Sequence, residues 1–142
     1  SEVFEQPKNL AVAQIVNDPP MSVLDARIEG NSIVLSSGHT LERPSHLGSL
    51  GEGLYQFGIR AKDIVPSGPS NAAEVTTIRF VEVSGSETVL YVGSGSGELV
   101  VLIEGIHDYK AGENLPVEIR TDRFFAFDEA GELPVAPGVE VR

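Results

Sequence analysis

The sequence predicts a mainly β protein, a small barrel or sandwich preceded by one short helix. Three observations lead there. Segments rich in Val, Ile, Leu, Thr and Phe recur between residues 21 and 120. Short punctuating stretches such as Gly30-Asn31, Ser84-Gly-Ser86 and Gly93-Ser-Gly-Ser-Gly97 separate them. Helical spacing of apolar residues is best developed in a single window, residues 7–16. Five to eight short strands at such intervals close into a small barrel or sandwich.

The helix is expected over residues 7–16, because Pro7 suits a first helical position and Leu10, Ala13 and Val16 recur at helical spacing. It stops at Asn17, since Pro19-Pro20 removes backbone donors and forces extended chain. Ten residues are marginal as an isolated helix, so it has to dock on something. Residues 21–29 and 32–36 follow as a hairpin around Gly30-Asn31, residue types that tolerate positive φ. Residues 42–53 carry glycines, prolines and serines and read as a loop before a strand at 54–60. After a second punctuated stretch at 66–71, strands are expected at 74–83, 87–92, 99–104 and 115–120. The first of these does not alternate cleanly: Ile78 and Phe80 share one parity, Val75, Val81 and Val83 the other. A bulge or two-sided burial accounts for such a pattern. Residues 93–97 read as a hairpin loop, being short and flanked by apolar strands.

At 142 residues the chain has room for one compact domain or two small β modules sharing a core. A domain of this size buries about 70% of its unfolded-chain surface, enough to form a core without staples. No apolar run approaches the ~18 residues of a transmembrane helix. Ten Lys and Arg against 21 Asp and Glu give a formal charge of −11. That field repels phosphate backbones and anionic headgroups, so no nucleic-acid partner is expected. Cysteine is absent, which removes disulfides, thiolate metal sites and a Cys nucleophile. The opening Ser1-Glu2-Val3-Phe4 lacks the charged-then-apolar pattern of a leader.

Catalytic signals are sparse. The neutral-pH bases are His39, His46 and His107, and no Gly-x-Ser-x-Gly elbow supplies a nucleophile. His39 and His46 are seven apart with no thiolate nearby, a poor basis for zinc. The carboxylate pairs Asp128-Glu129, Glu82 with Glu87, and Glu113 with Glu118 read as solvated faces of an acidic chain. Residues 93–97 have the glycines of a phosphate loop but continue into Glu98-Leu99, without its Lys or helix. Hence no catalytic, cofactor or metal residue is assigned to this chain.

Four ordered blocks carry a family resemblance. Val3-Phe-Glu-Gln-Pro-Lys-Asn-Leu-Ala-Val-Ala13, with Pro19-Pro20-Met21 after it, is similar to (Y/F)-x-x-P-x-N-x-F-V-A-x-F-I-G-x-P-x-M-N. Ala11, residues 14–17 and Ser22 depart from that pattern. Phe57-Gly-Ile-Arg-Ala-Lys-Asp-Ile64 resembles L-G-I-R-P-E-H-I, with Ala61 for Pro and Lys62-Asp63 for Glu-His. Val81-Glu-Val-Ser-Gly-Ser-Glu-Thr88 resembles V-E-x-L-G-x-E-T, with Ser84 for Leu, and Phe125-Ala-Phe-Asp-Glu-Ala-Gly131 resembles H-L-F-D-x-x-T-G. Such blocks mark the C-terminal regulatory domain of maltose and glycerol-3-phosphate type ABC importer ATP-binding subunits.

The resemblance implies an OB-like domain of the transport-associated (TOBE) kind. Residues 1–18 are then a linker helix from the end of a missing ATPase domain, with Leu10, Val12 and Ile15 as its interdomain face. Residues 19–142 are the regulatory domain, built from two interleaved β segments, 19–65 and 72–142. Homodimerisation, contact with the ATPase domain, membrane subunits as partners and a cytoplasmic place at the inner face of the membrane are implied. So are ATP and Mg in the parent protein, with none in this chain, which lacks the Walker A and signature motifs. Gly85, Ser86, Glu87 and Thr88 are the candidate regulatory or dimer surface. Gly58, Arg60, Asp63, Phe125 and Phe127 are structural motif positions: Gly58 for close backbone approach, Arg60 and Asp63 as an ion pair across one turn. The alternative is a free-standing module that binds a small oxyanion such as molybdate. Against it stand the −11 charge and the absence of a Ser-Ala-Arg-Asn type motif.

Overall fold

The computed structural model describes residue 9 and residues 19–132 and 134–138. The expected helix at 7–16, with Leu10, Val12 and Ile15, lies outside the described residues apart from Asn9. Ten strands follow in order: β1 Ser22–Glu29, β2 Ser32–Leu35, β3 Thr40–Glu42, β4 Gly53–Ile59, β5 Ile64–Pro66, β6 Glu74–Ser84, β7 Glu87–Ser94, β8 Gly97–Glu104, β9 Asn114–Ile119 and β10 Phe125–Phe127. They form two antiparallel five-stranded sheets, ordered β10-β4-β1-β2-β3 and β5-β9-β6-β7-β8. In the second sheet β5 packs against β8, so that sheet curls toward a closed small barrel.

The patterns of β1, β8 and β9 suit a half-buried pleat, whereas β7 is buried on both faces. In β1, Leu24, Ala26 and Ile28 are buried while Asp25, Arg27 and Glu29 face water. The β1–β2 hairpin forms at Gly30-Asn31 as expected, with Glu29 opposite Ser32 and Gly30 at φ +58°. Gly85, at φ +60°, does the same between β6 and β7. The uneven β6 pattern is resolved by a register break between Ile78 and Phe80. Arg79 is the extra residue, so Ile78 is 1% exposed and Phe80 56% exposed despite their shared parity.

Three strands lie outside the segments expected from the sequence, namely β3, β5 and β10, each of three residues. Two of them change the topology. β5 leaves the first half of the chain to pair with β9, and β10 returns from the second half to pair with β4. The main core gathers Leu24, Ile28, Phe57, Ile78, Leu90, Val101 and Phe124 from both sheets, with the Phe57 and Phe124 rings 5.1 Å apart. A smaller cluster of Met21, Phe125 and Phe127 covers the other face at the β10 end. Gly58 stands opposite Phe125, and the space a Cβ there would need is filled by the Met21 and Phe127 side chains. The close approach expected at Gly58 is therefore by side chains, not backbone.

Candidate functional site

The crossover corner is built from the motif residues. Two 3-10 turns, Ala61–Asp63 and Thr121–Arg123, lead into β5 and β10. Asp63 is 1% exposed and joins them: its carbonyl accepts from the Arg120 N–H at 3.0 Å, and its Oδ1 lies 3.3 Å from Arg120 Nη1. Arg120 also reaches Asp122 at 4.0 Å. The Arg60 guanidinium lies over the Phe125 ring, 5.0 Å from its centroid, in cation–π contact. Phe125 and Phe127 are buried. This corner ties together the two strands that exchange between sheets.

The β6–β7 turn exposes Gly85, Ser86 and Glu87. Thr88 does not belong to that surface. It is fully buried, because its Oγ1 donates to the Gly105 carbonyl at 2.8 Å and accepts the His107 N–H at 3.1 Å. Beside the turn, Val83 and Phe80 are about half exposed, and Phe80 contacts Tyr91 with ring centroids 5.5 Å apart.

A third cluster was not singled out from the sequence. Glu74, 1% exposed at the start of β6, accepts the Ser37 hydroxyl at 2.5 Å and meets His39 Nδ1 at 2.6 Å. Ser96 Oγ accepts the Ser37 N–H at 3.4 Å. Burial pushes the Glu74 carboxyl up, but hydrogen bonds from His39, Ser37, Ser96 and Ser94 outweigh it and hold the group below the usual value of 4.5. The cluster joins the β2–β3 and β7–β8 turns to β6. Residues 35 or more apart in sequence gave no joint signal; the one clue was that Glu74 shares inward parity with Thr76 and Ile78. Ser37 donates to Glu74, and His39 presents that same carboxylate with the nitrogen nearest Ser37, 3.4 Å away. A nucleophile needs a base that takes its proton, so this arrangement is a clasp rather than a triad.

The other two histidines, and Asp128, Glu113 and Glu82 among the paired acids, make scaffold contacts. His46 Nε2 is 2.8 Å from the Phe124 carbonyl and His107 Nε2 is 2.7 Å from that of Glu104. Asp128 accepts the Ala130 and Glu132 N–H groups at 3.0 Å, Glu113 accepts that of Lys110 at 2.8 Å, and Glu82 accepts the Tyr91 hydroxyl at 3.3 Å. Among the described residues no group of three His, Asp or Glu is placed to hold a metal. A nucleotide fits poorly as well: the glycines at 93–97 form the β7–β8 hairpin, with Ser94 opposite Gly97, and lead into a strand beginning Gly97-Glu98. Phosphate loops need a helix N-terminus and a Lys there.

No family model matches the chain. Curated relatives do. It is 30% identical over 138 residues to the uncharacterised ABC transporter ATP-binding protein YcjV of Escherichia coli, covering 94% of this chain and 38% of YcjV. It is 27% identical over 135 residues to the sn-glycerol-3-phosphate import ATP-binding protein UgpC of Ralstonia nicotianae, covering 89% of this chain and 37% of UgpC. The chain thus spans under two fifths of the length of these relatives. Among solved structures, the cytoplasmic molybdate-binding protein ModG shares the fold at 12% identity, with a TM-score of 0.53 over 82% of this chain and 96% of ModG.

Proposed function

We propose that this chain, which is similar to ABC transporter ATP-binding subunits, is their TOBE-type, OB-like end, the regulatory and dimerising domain of an importer subunit. One observation carries the reading: similarity to ATP-binding subunits runs through 94% of this chain yet spans 38% of the relative. Catalysis then belongs to the remainder of the protein, which binds ATP and Mg. Two copies of this domain hold their ATPase domains together while the nucleotide sites open and close. Tethering acts by raising the effective concentration of the partner site.

In this reading residues 1–18 link to the ATPase domain and residues 19–142 form the regulatory domain. The exposed turn Gly85, Ser86 and Glu87, with Phe80 and Val83 beside it, is the surface proposed for the second copy or a regulator. The membrane subunits are partners of the whole protein, which works at the cytoplasmic face of the membrane. Among the described residues no helix is long and apolar enough to cross a bilayer. The similarity to UgpC favours a sugar or a related solute as cargo. An oxyanion role by analogy with ModG rests on shared fold alone, and fold does not carry a ligand.

The coding sequence preceding residue 1 tests the proposal. A Walker A loop and an ABC signature upstream are expected. A start codon immediately before Glu2 overturns it. Sedimentation equilibrium of the 142-residue chain tests the dimer separately, with a Phe80→Glu variant expected to shift it toward monomer.

A further inference from the structure

The edges of the two sheets are treated unequally. Along β10, the Ala126 N–H donates to the Val135 carbonyl at 2.9 Å and the Asp128 N–H to that of Glu132 at 3.0 Å. Along β8, the Val100 N–H donates to Ser22 Oγ at 2.9 Å, and β5 packs against β8. These three edges are covered by described residues.

β3, outermost in the first sheet, is different: among the described residues no strand pairs with its outer edge. Its ladder to β2 is framed by Arg43 N–H to Asn31 carbonyl and Leu35 N–H to His39 carbonyl bonds, both 2.9 Å. Ile33 and Leu41 stand opposite each other midway between them. Antiparallel bonding alternates, so Leu41 exchanges bonds with Ile33, while Thr40 and Glu42 point their N–H and C=O groups away from β2. A groove of about 330 Å³ lies at this edge, lined by residues 39–42 on one side and by residues 71–73, Glu118 and Ile119 on the other. The Glu74–His39 contact fixes the start of this edge. The described chain ends, Asn9 bridged to Glu132 and Gly138 bonded to Arg123, lie on the β10 side, four strands away.

We propose that the open edge of β3 is a docking site for an extended, lysine- or arginine-bearing segment of a partner protein, added as a further strand. Outward N–H and C=O groups two residues apart match the repeat of an extended peptide. Glu42 and Glu118 line the groove, and the chain carries −11 overall, so a basic segment is attracted and an acidic one repelled. With three residues the edge is too short for strong self-pairing, which suits a reversible contact. This inference stands independently of the importer reading.

The test is a titration of the ¹⁵N-labelled 142-residue chain with the capped peptide Lys-Val-Lys-Val-Lys, followed by NMR. Saturable shifts centred on residues 40–42 are expected. A copy N-methylated at every residue keeps the charge but loses its donors, and is expected to bind about tenfold more weakly. Glu42→Gln and Glu118→Gln each weaken binding about two- to fivefold. Thr40→Pro removes an outward donor without touching the Leu41 pairing, and weakens it further. If that variant fails to fold, the glutamine variants and the N-methylated peptide decide. Shifts scattered over the acidic surface, equal binding of the N-methylated copy or of Glu-Val-Glu-Val-Glu, or no saturation by ~1 mM peptide overturn the proposal. Self-association through residues 40–42 without peptide also overturns it, since the occupant is then a second copy.

Discussion

The two ends of the first sheet are stabilised by different physics. At the β10 end, Phe124, Phe125, Ala126 and Phe127 are all buried, with apolar clusters on both faces. At the β3 end, Leu41 is only partly buried, and the structure is held by polar contacts. Arg43 donates to the carbonyls of Gly30, Leu47, Gly48 and Leu50, and His39 and Ser37 close on Glu74. Packing is indifferent to pH, and at the β10 end the strand edge is covered by backbone bonds to Val135 and Glu132. Polar clasping leaves an edge accessible and makes its stability depend on protonation.

Removing an aromatic from the β10 end breaks this comparison most sharply. Phe124→Ala deletes a fully buried ring in tilted contact with Phe57 and is expected to cost about 4 kcal/mol in urea unfolding. Leu41→Ala, at the β3 end, is expected to cost about 1 kcal/mol, because less apolar area leaves water there. Equal costs would show that the two ends share one mode of stabilisation. Next in size is Asp63→Ala. It removes the buried carboxylate that joins the two crossover turns, and about 2 kcal/mol is expected, since the exposed Arg120 can return to water.

The longer strands were legible because alternation and punctuation are local. The β1–β2 hairpin and the β6 bulge follow from residue types within a few positions of each other. The strands β3, β5 and β10 were not, since three residues hold too little periodicity and their pairing is decided by distant neighbours. Motif resemblance marked Asp63 and Phe125, but not the contact of Asp63 with Arg120, 57 residues away. Thr88 is expected at a surface as the last residue of the 85–88 turn motif; its hydroxyl is instead consumed by Gly105 and His107. The Glu74 clasp was invisible as a unit, because Ser37, His39 and Glu74 meet only once β3 and β6 are in place.

The clasp gives the β3 end a pH signature. Glu74 is held below its ordinary value in the folded protein, so its stabilisation is fully present above about pH 4.5 and is lost as pH falls through the folded value. Glu74→Gln removes the charge-assisted bonds from Ser37 and His39, and about 1.5 kcal/mol is expected at pH 7. The variant is also expected to flatten the acid limb of a Tm-against-pH curve. An unchanged acid limb would mean that other carboxylates set the acid transition.

The smallest effect sharpens the comparison from the other side. Arg60 is a cation at the packed end, and its contact with the Phe125 face is partly exposed. Arg60→Ala is expected to cost about 0.5–1 kcal/mol, mixing the cation–π contribution with lost contact along the side-chain stem. Arg60→Met separates the two, because it keeps an apolar stem against Phe125 and drops the charge. If Arg60→Met unfolds at the wild-type urea midpoint while Arg60→Ala does not, the corner uses this arginine as packing, and Asp63–Arg120 is left as its charged contact. If both fall equally, charge contributes at this end as well, and the contrast with the β3 end becomes one of burial rather than of chemistry.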